Sequence, residues 1–317
     1  MPKELNFDDD DLTNDFNDDY STWDAETLKA FLSGSSEFSA NEMVEKLNFS
    51  TSSNSNSKNI GGLKPVEKGG LSESNRRNSK KDSPKILPIE IIQETENWVV
   101  INKPPYIPSL PERGKYTAES VIEWAKKKWE DAILCHRLDR ETSGCLIVAK
   151  NAEAYRHISI QFEKRQIKKL YHAIVDGKVN FQELWVDLPI NTENVLKIKI
   201  DKQNGKSAQT LFNTIQNFNH FTLIECQPRT GRLHQIRVHL ASQNAKIACD
   251  LLYGSQIPKL SLIKRKLSGD DTVLMPRFAL HARQLEFQDL NGEICSIQAE
   301  YPKDFSVFLK LLNKYDK

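Results

Sequence analysis

The chain predicts an α+β domain over residues 86–317, with a mixed, mainly antiparallel sheet and flanking helices. Three observations carry that expectation. From Ile89 onward, short runs rich in β-branched and aromatic residues alternate with amphipathic segments, as when helices are set beside a sheet. Cys145-Leu146-Ile147-Val148-Ala149 is continuously apolar but too short for a helix, and it reads as a buried strand. Residues 50–85 are rich in Ser, Asn, Gly and Lys and nearly devoid of large apolar side chains. Such a segment cannot bury enough surface to offset its ordering entropy, so it is expected to be a disordered linker.

The elements follow in order. Residues 98–102 form the first expected strand. Residues 117–129 predict a helix whose apolar face carries Val121, Ile122, Trp124, Ala125 and Trp129. After the strand at 146–149, Asn151 is placed to cap a helix that buries Ala154, Ile158 and Phe162 and ends near Gln166. Strands are expected at 171–175, 197–200, 210–214, 222–227 and 285–287. Residues 232–242 predict a helix carrying Leu233, Ile236, Val238 and Leu240 with basic residues between them. An apolar helix over 305–312 closes the domain.

Charge is unevenly spread along the 317 residues. Residues 1–50 balance to −10, residues 51–85 to +5 and residues 86–317 to +6. The total of +1 therefore hides an acidic head (1–49), a basic linker (50–85) and a mildly basic body, compatible with a nucleic-acid partner. In the head, Asp24 precedes Leu28, Phe31 and Leu32 at helical spacing. Ser39-Ala40-Asn41-Glu42 has the form of a capping box before Met43, Val44 and Leu47. Two short helices are the most this region predicts, and a fluctuating acidic tail is the expectation.

The five cysteines show no C-x-x-C pair, no apolar run is long enough for a membrane span, and the acidic start lacks an Arg-rich transit pattern. The expectation is a cytoplasmic, monomeric protein with reduced thiols. His234 and His239 lie five apart around Arg237, which would repel a cation, so no metal is expected.

The segment with the most chemical content is His136-Arg137-Leu138-Asp139-Arg140-Glu141-Thr142-Ser143-Gly144, directly before the buried strand. A carboxylate where a turn meets such a strand is rigidly held yet open to a ligand. Free Asp titrates near ~3.9, so Asp139 is expected to be ionised and able to act as nucleophile or general base.

This segment resembles the motif H-R-L-D-x-x-T-S-G of pseudouridine synthases of the RluA type, matching all seven fixed positions. Further segments match the family in order: Val99-Val100-Ile101-Asn102-Lys103-Pro104, Lys169-Leu170-Tyr171 with Asp176-Gly177, and Gly205-Lys206-Ser207-Ala208-Gln209-Thr210. Thr230-Gly231-Arg232-Leu233-His234-Gln235-Ile236-Arg237-Val238-His239-Leu240 and Leu280-His281-Ala282 complete the series. Two positions depart from it. Tyr106 stands where a turn Gly is usual, and Cys249 precedes Asp250 where Gly-Asp is usual, which puts loop geometry at issue rather than activity.

The resemblance implies a bent mixed sheet with a central cleft, and isomerisation of particular uridines in structured ribosomal or transfer RNA. That reaction breaks the N1–C1′ bond, turns the uracil and joins C5 to C1′. It transfers no electrons, so no cofactor is expected. The resemblance assigns the reacting carboxylate to Asp139, its guanidinium partner to Arg237 and the ring against the uracil to Tyr171. Arg137 is the candidate to fill the space left by the extruded base, with His136 and Arg140 beside it. Lys103, Lys206, Arg232, His234 and Gln235 are candidate RNA contacts. His281 reads as a satisfied structural histidine. The alternative is a non-catalytic RNA-binding protein that keeps the fold; the joint presence of Asp139, Tyr171 and Arg237 counts against it.

Overall fold

The computed structural model describes residues 88–111, 119–193, 198–264 and 273–317. The expected acidic head, its two short helices and the basic linker lie outside the described residues. All the described residues fall within one of the chain's two contact units.

In chain order the strands are β1 (Glu90–Glu94), β2 (Trp98–Lys103), β3 (Ile133–Leu134), β4 (Ser143–Ala149), β5 (Lys168–Asp176), β6 (Leu184–Asp187), β7 (Ile190–Asn191), β8 (Lys199–Ile200), β9 (Gln209–Asn217), β10 (Phe221–Pro228), β11 (Leu280–Gln288) and β12 (Ile294–Gln298). The helices are α1 (Val121–Lys126), α2 (Ala152–Glu163), α3 (Gln235–Ser242), α4 (Leu260–Ile263) and α5 (Lys303–Tyr315). Among the described residues, one large sheet runs β1-β2-β4-β11-β5-β10-β9-β6, with β3 added to β4 and β12 to β11. Every pairing is antiparallel except β4 with β11, so the sheet is mixed and mainly antiparallel, as expected.

The apolar run of β4 is buried along all seven residues because both faces are covered. Cys145, Ile147 and Ala149 pack with Ala154 and Ile158 of α2 on one face. Leu146 and Val148 pack with Val121 and Ala125 of α1 on the other. Asn151 caps α2 as expected, its side chain accepting from the Ala154 amide at 2.9 Å. Gly144 has φ +114°, and a Cβ there would lie 2.1 Å from the Ala282 carbonyl oxygen. The parallel contact of β4 with β11 therefore needs a residue without a side chain at position 144.

Boundaries differ from expectation where side chains redirect the backbone. The expected helix over 117–129 begins at Val121, because Ser120 and Glu123 form a reciprocal capping box. The helix expected from Arg232 begins at Gln235. His234 takes the left-handed φ of 53°, and the Gln235 side chain turns back to accept from Thr230 Oγ1 at 2.7 Å and the Arg232 amide at 3.0 Å. Strands β1, β3, β6, β7 and β12 are not among the expected ones. The closing helix runs longer than 305–312 and buries Phe305, Phe308 and Leu312 along one face.

Candidate active site

The loop bearing Asp139 lies between β3 and β4, and distant residues hold its backbone in place. Ser109 Oγ donates to the Leu138 carbonyl at 2.8 Å and accepts from the Leu138 amide at 3.0 Å. The Arg140 carbonyl accepts from Lys103 Nζ at 3.0 Å and from the Tyr106 amide at 2.8 Å. Buried Arg277 donates to the Glu141 carbonyl at 2.8 Å and pairs with Asp304 at the start of α5, Nε to Oδ2, at 2.7 Å. The side chain of Asp139 is thus carried on a backbone that has little freedom, and it remains 22% exposed.

Arg237 comes to this carboxylate from α3. Its NH1 lies 3.4 Å from Asp139 Oδ2, but its firmer partner is Asp250. Nε and NH2 donate to the two Asp250 oxygens at 2.7 and 2.9 Å, a bidentate pair on a carboxylate that is 1% exposed. The guanidinium also lies 4.2 Å from the Phe278 ring centre and 5.0 Å from that of Tyr253. Two aromatic neighbours and one carboxylate fix the cation, leaving its remaining edge for Asp139.

His234 Nε2 stands 3.9 Å from Asp139 Oδ2, and its Nδ1 is 3.0 Å from the Tyr253 hydroxyl. Burial lowers the His234 pKa to about 4, so the ring is neutral at neutral pH. Burial pushes the Asp139 pKa up, but the charges around it outweigh that and hold it below the usual value. The lowering contributions are, in order, the charge of His234 when its ring is protonated, then Arg237 and Arg137, which stay charged when that ring is neutral. Tyr171, on β5, has its hydroxyl pKa raised by burial first and then by the Asp139 charge. Arg237 and His234 thus reach Asp139 directly, and Tyr171 lies near enough to feel its charge.

A family model described as RNA pseudouridylate synthase matches residues 97–242. Ribosomal large subunit pseudouridine synthase D of Nitrosomonas europaea is 32% identical over 74% of this chain and 68% of its own length. The protein of the same description from Borreliella burgdorferi is 31% identical over 92% of this chain and 90% of its own. The chain belongs to the RNA pseudouridylate synthase family. The RluA-type resemblance also holds: Dual-specificity RNA pseudouridine synthase RluA of Pasteurella multocida is 32% identical over 63% of this chain and 87% of its own length. A solved structure, Human RNA Pseudouridylate Synthase Domain Containing 4, superposes with a TM-score of 0.58 at 27% identity. That match covers 71% of this chain and 93% of the human one.

Within this synthase, two expected RNA contacts are corrected, Lys103 and Gln235. Lys103 is fully buried, its ammonium donating to the Pro104, Ile107 and Arg140 carbonyls, so it braces the Asp139 loop from inside. Gln235 is buried and spends its amide on Thr230, the Arg232 amide, the Gln209 carbonyl and Thr210. His136 is half-buried, its Nε2 accepting from the Ile147 amide at 3.2 Å and its ring resting on Phe162. Burial takes its pKa down to about 3, so it offers no charge to RNA. Lys206 is exposed, while Arg137, Arg140 and Arg232 are half-buried, with Arg232 Nε donating to the Ser207 carbonyl. His281 is the structural histidine expected, bonded to Ser143 Oγ and the Ala299 carbonyl.

Sequence reasoning missed Asp250, Tyr253, Phe278 and Arg277. The available signal was the Asp beside the Gly-to-Cys departure, which had been assigned only to loop shape. Both departures take left-handed backbone, Tyr106 at φ 69° and Cys249 at φ 67°. Among the described residues no His/Cys/Asp/Glu cluster could hold a metal, and no helix is long and apolar enough to cross a membrane.

Proposed function

We propose that this synthase converts uridine to pseudouridine in large-subunit ribosomal RNA, acting as a monomer in the cytoplasm, with Asp139 as the reacting carboxylate. One observation carries the proposal. Asp139 is an ionised, partly exposed carboxylate on a braced loop, facing a guanidinium that Asp250 has already oriented. Such a carboxylate can add to the sugar or base, or take a proton, as the N1–C1′ bond breaks and C5 joins C1′. The proton lost from C5 is balanced by one gained at N1, so the isomerisation is neutral in atoms and electrons.

In this reading Tyr171 lies against the uracil, holding a flat base without fixing its rotation. Arg137 fills the gap in the RNA stack, at a cost of about a few kcal/mol for extruding the uridine. Arg140, Lys206 and Arg232 contact phosphate and ribose. The ribosomal target is supported by the names of the relatives from Nitrosomonas europaea and Borreliella burgdorferi.

The test compares RNA from cells with and without the gene by carbodiimide-based primer extension. A stop in large-subunit ribosomal RNA should vanish on deletion and return with wild type but not with Asp139→Asn. A stop lost from transfer RNA alone would overturn the target, and unchanged maps in every RNA class would overturn the activity.

A further inference from the structure

A cavity of about 400 Å³ lies away from Asp139, lined by Arg165, Trp185, Asp187, Gln209 and Arg229. It is open to solvent on one side rather than enclosed. The sheet register explains how these side chains converge. Trp185 pairs with Leu211 and Asp187 with Gln209, so Trp185, Asp187 and Gln209 share one face of the sheet edge while Val186 and Thr210 point to the buried face. Arg229 follows the end of β10, its amide bonded to the Gln209 carbonyl, and Arg165 follows the end of α2.

The contents are unusual for a structural surface. Trp185 is 48% exposed, and the Arg229 guanidinium lies 5.4 Å from its ring centre. Gln209 Nε2 donates to Asp187 Oδ2 at 2.9 Å, so acceptor and donor groups sit beside the ring. An exposed indole backed by one arginine, with a second arginine nearby and an amide at the edge, matches what a single unstacked nucleotide requires. The base takes the aromatic face, the phosphate the guanidinium groups, and the base edge the amide and carboxylate.

The position agrees with that assignment. Arg229 begins the segment that passes through Thr230 and Arg232 to His234 beside Asp139. Lys169 Nζ reaches the Thr230 carbonyl at 3.1 Å, so the cavity and Tyr171 lie at the same end of the sheet. Three strand spacings separate β5, which carries Tyr171, from β6, which carries Trp185, or about 14 Å at ~4.8 Å each. Tyr171 shares its face of the sheet with Cys226, Phe212 and Leu184, so Trp185, Asp187 and Gln209 lie on the opposite face, and an RNA strand would pass round the β6 edge to reach both. We infer that Trp185, Arg229 and Arg165 form a subsite for an unpaired nucleotide of the RNA substrate, outside the pocket that takes the target uridine. This rests on the RNA substrate class proposed above.

The test uses the full chain and a fluorescein-labelled 12-mer of oligoadenylate, read by anisotropy at two salt concentrations. Loss of one stacked base weakens binding by about 5- to 150-fold. Trp185→Ala should fall in that range with its salt dependence unchanged, and Trp185→Phe should stay within about threefold of wild type. Arg229→Ala should weaken binding and flatten its salt dependence. The same variants acting on ribosomal RNA from the deletion strain should raise KM and leave single-turnover rates unchanged. Trp185→Ala binding within twofold of wild type overturns the subsite, as does an effect of the arginine variants alone, which would mark a phosphate contact with no base. Pseudouridine formation by wild type reports separately on the functional reading, so the two failures are distinguishable. All three positions are exposed, and unchanged thermal unfolding checks that the variants fold.

Discussion

Replacing Asp250 tests whether Arg237 is oriented from behind rather than by Asp139 itself. In Asp250→Ala the guanidinium loses both short hydrogen bonds and keeps only the 3.4 Å contact with Asp139. The side chains are 7% and 1% exposed, so the variant leaves a buried cation without its main partner. Truncating one member of such a pair costs about 3–5 kcal/mol. At roughly 2–4 °C per kcal/mol for a domain of this size, Tm should fall by about 6–20 °C. The released guanidinium should swing toward Asp139 and occupy the carboxylate that the substrate needs. A displacement on the order of 1 Å lowers the rate by about 100-fold. The double variant Asp250→Ala, Arg237→Met separates the two effects. It removes both charges, so most of the lost Tm should return while the rate does not. The assays are thermal unfolding by circular dichroism and single-turnover pseudouridine formation on ribosomal RNA from a deletion strain. A single variant that keeps Tm within 2 °C and its rate within twofold would refute the reasoning, and so would a double variant that regains activity.

Gly144→Ala should prevent the parallel pairing of β4 with β11, since its Cβ would meet backbone 2.1 Å away at Ala282; soluble expression at wild-type levels would contradict this. Lys103→Met leaves three carbonyls without their ammonium donor, so at about 1–3 kcal/mol each it should lower Tm by more than 5 °C, a loss that added RNA does not rescue. The pKa values of His136 and His281 are lowered to about 3, and those of His172 and His234 to about 4, by burial first in each case. The unfolded chain protonates these rings near pH 6.5 while the folded chain stays neutral, so stability should be flat above that pH and fall steadily toward pH 4. Equal denaturant midpoints at pH 7 and pH 5 would exclude this linkage. Cys249→Gly exchanges relief of left-handed strain, about 1–2 kcal/mol, against a lost buried thiol and greater chain entropy, so Tm should move by no more than about 4 °C. A larger fall would show that the thiol contact with the Met275 carbonyl outweighs the strain.

Local features of this fold were legible in the sequence, and contacts between distant segments were not. The continuous apolar run of β4, the cap at Asn151 and the spacing of Phe305, Phe308 and Leu312 each follow from neighbouring residues. The motif order likewise brought Asp139, Tyr171 and Arg237 into one site. Asp250 was visible as the Asp of a familiar position, but its partner was not, because nothing near Cys249-Asp250-Leu251-Leu252-Tyr253 shows which cation thirteen residues earlier it will meet. Arg277 reaches back 136 residues to the Glu141 carbonyl, a pairing that no local pattern encodes. Lys103 was misread for a related reason. The lysine of an Asn-Lys-Pro turn is ordinarily solvated, and only the closing of the Ile107 and Arg140 loops around Lys103 makes the buried position favourable.

These missed groups share a physical logic. Lys103, Asp250 and Arg277 are almost wholly buried charges, each saturated by carbonyls or an opposite charge. Each costs desolvation energy, which an apolar core would not incur, so stability alone is a poor reason for them. What they do is fix geometry. Lys103 and Arg277 hold successive carbonyls of the loop at Arg140 and Glu141, and Asp250 turns Arg237 toward the same point. Tyr106 and Cys249 hold strained backbone beside two of these braces, through the Tyr106 amide on Arg140 and the Ser255 hydroxyl on the Cys249 amide. Asp139 stands apart within this arrangement, since its nearest charged partner lies 3.4 Å away and about a fifth of its side chain is open. A carboxylate kept charged, aimed and incompletely satisfied is ready to exchange its contact with Arg237 for one with a substrate, and the buried charges around it keep that exchange from moving the loop.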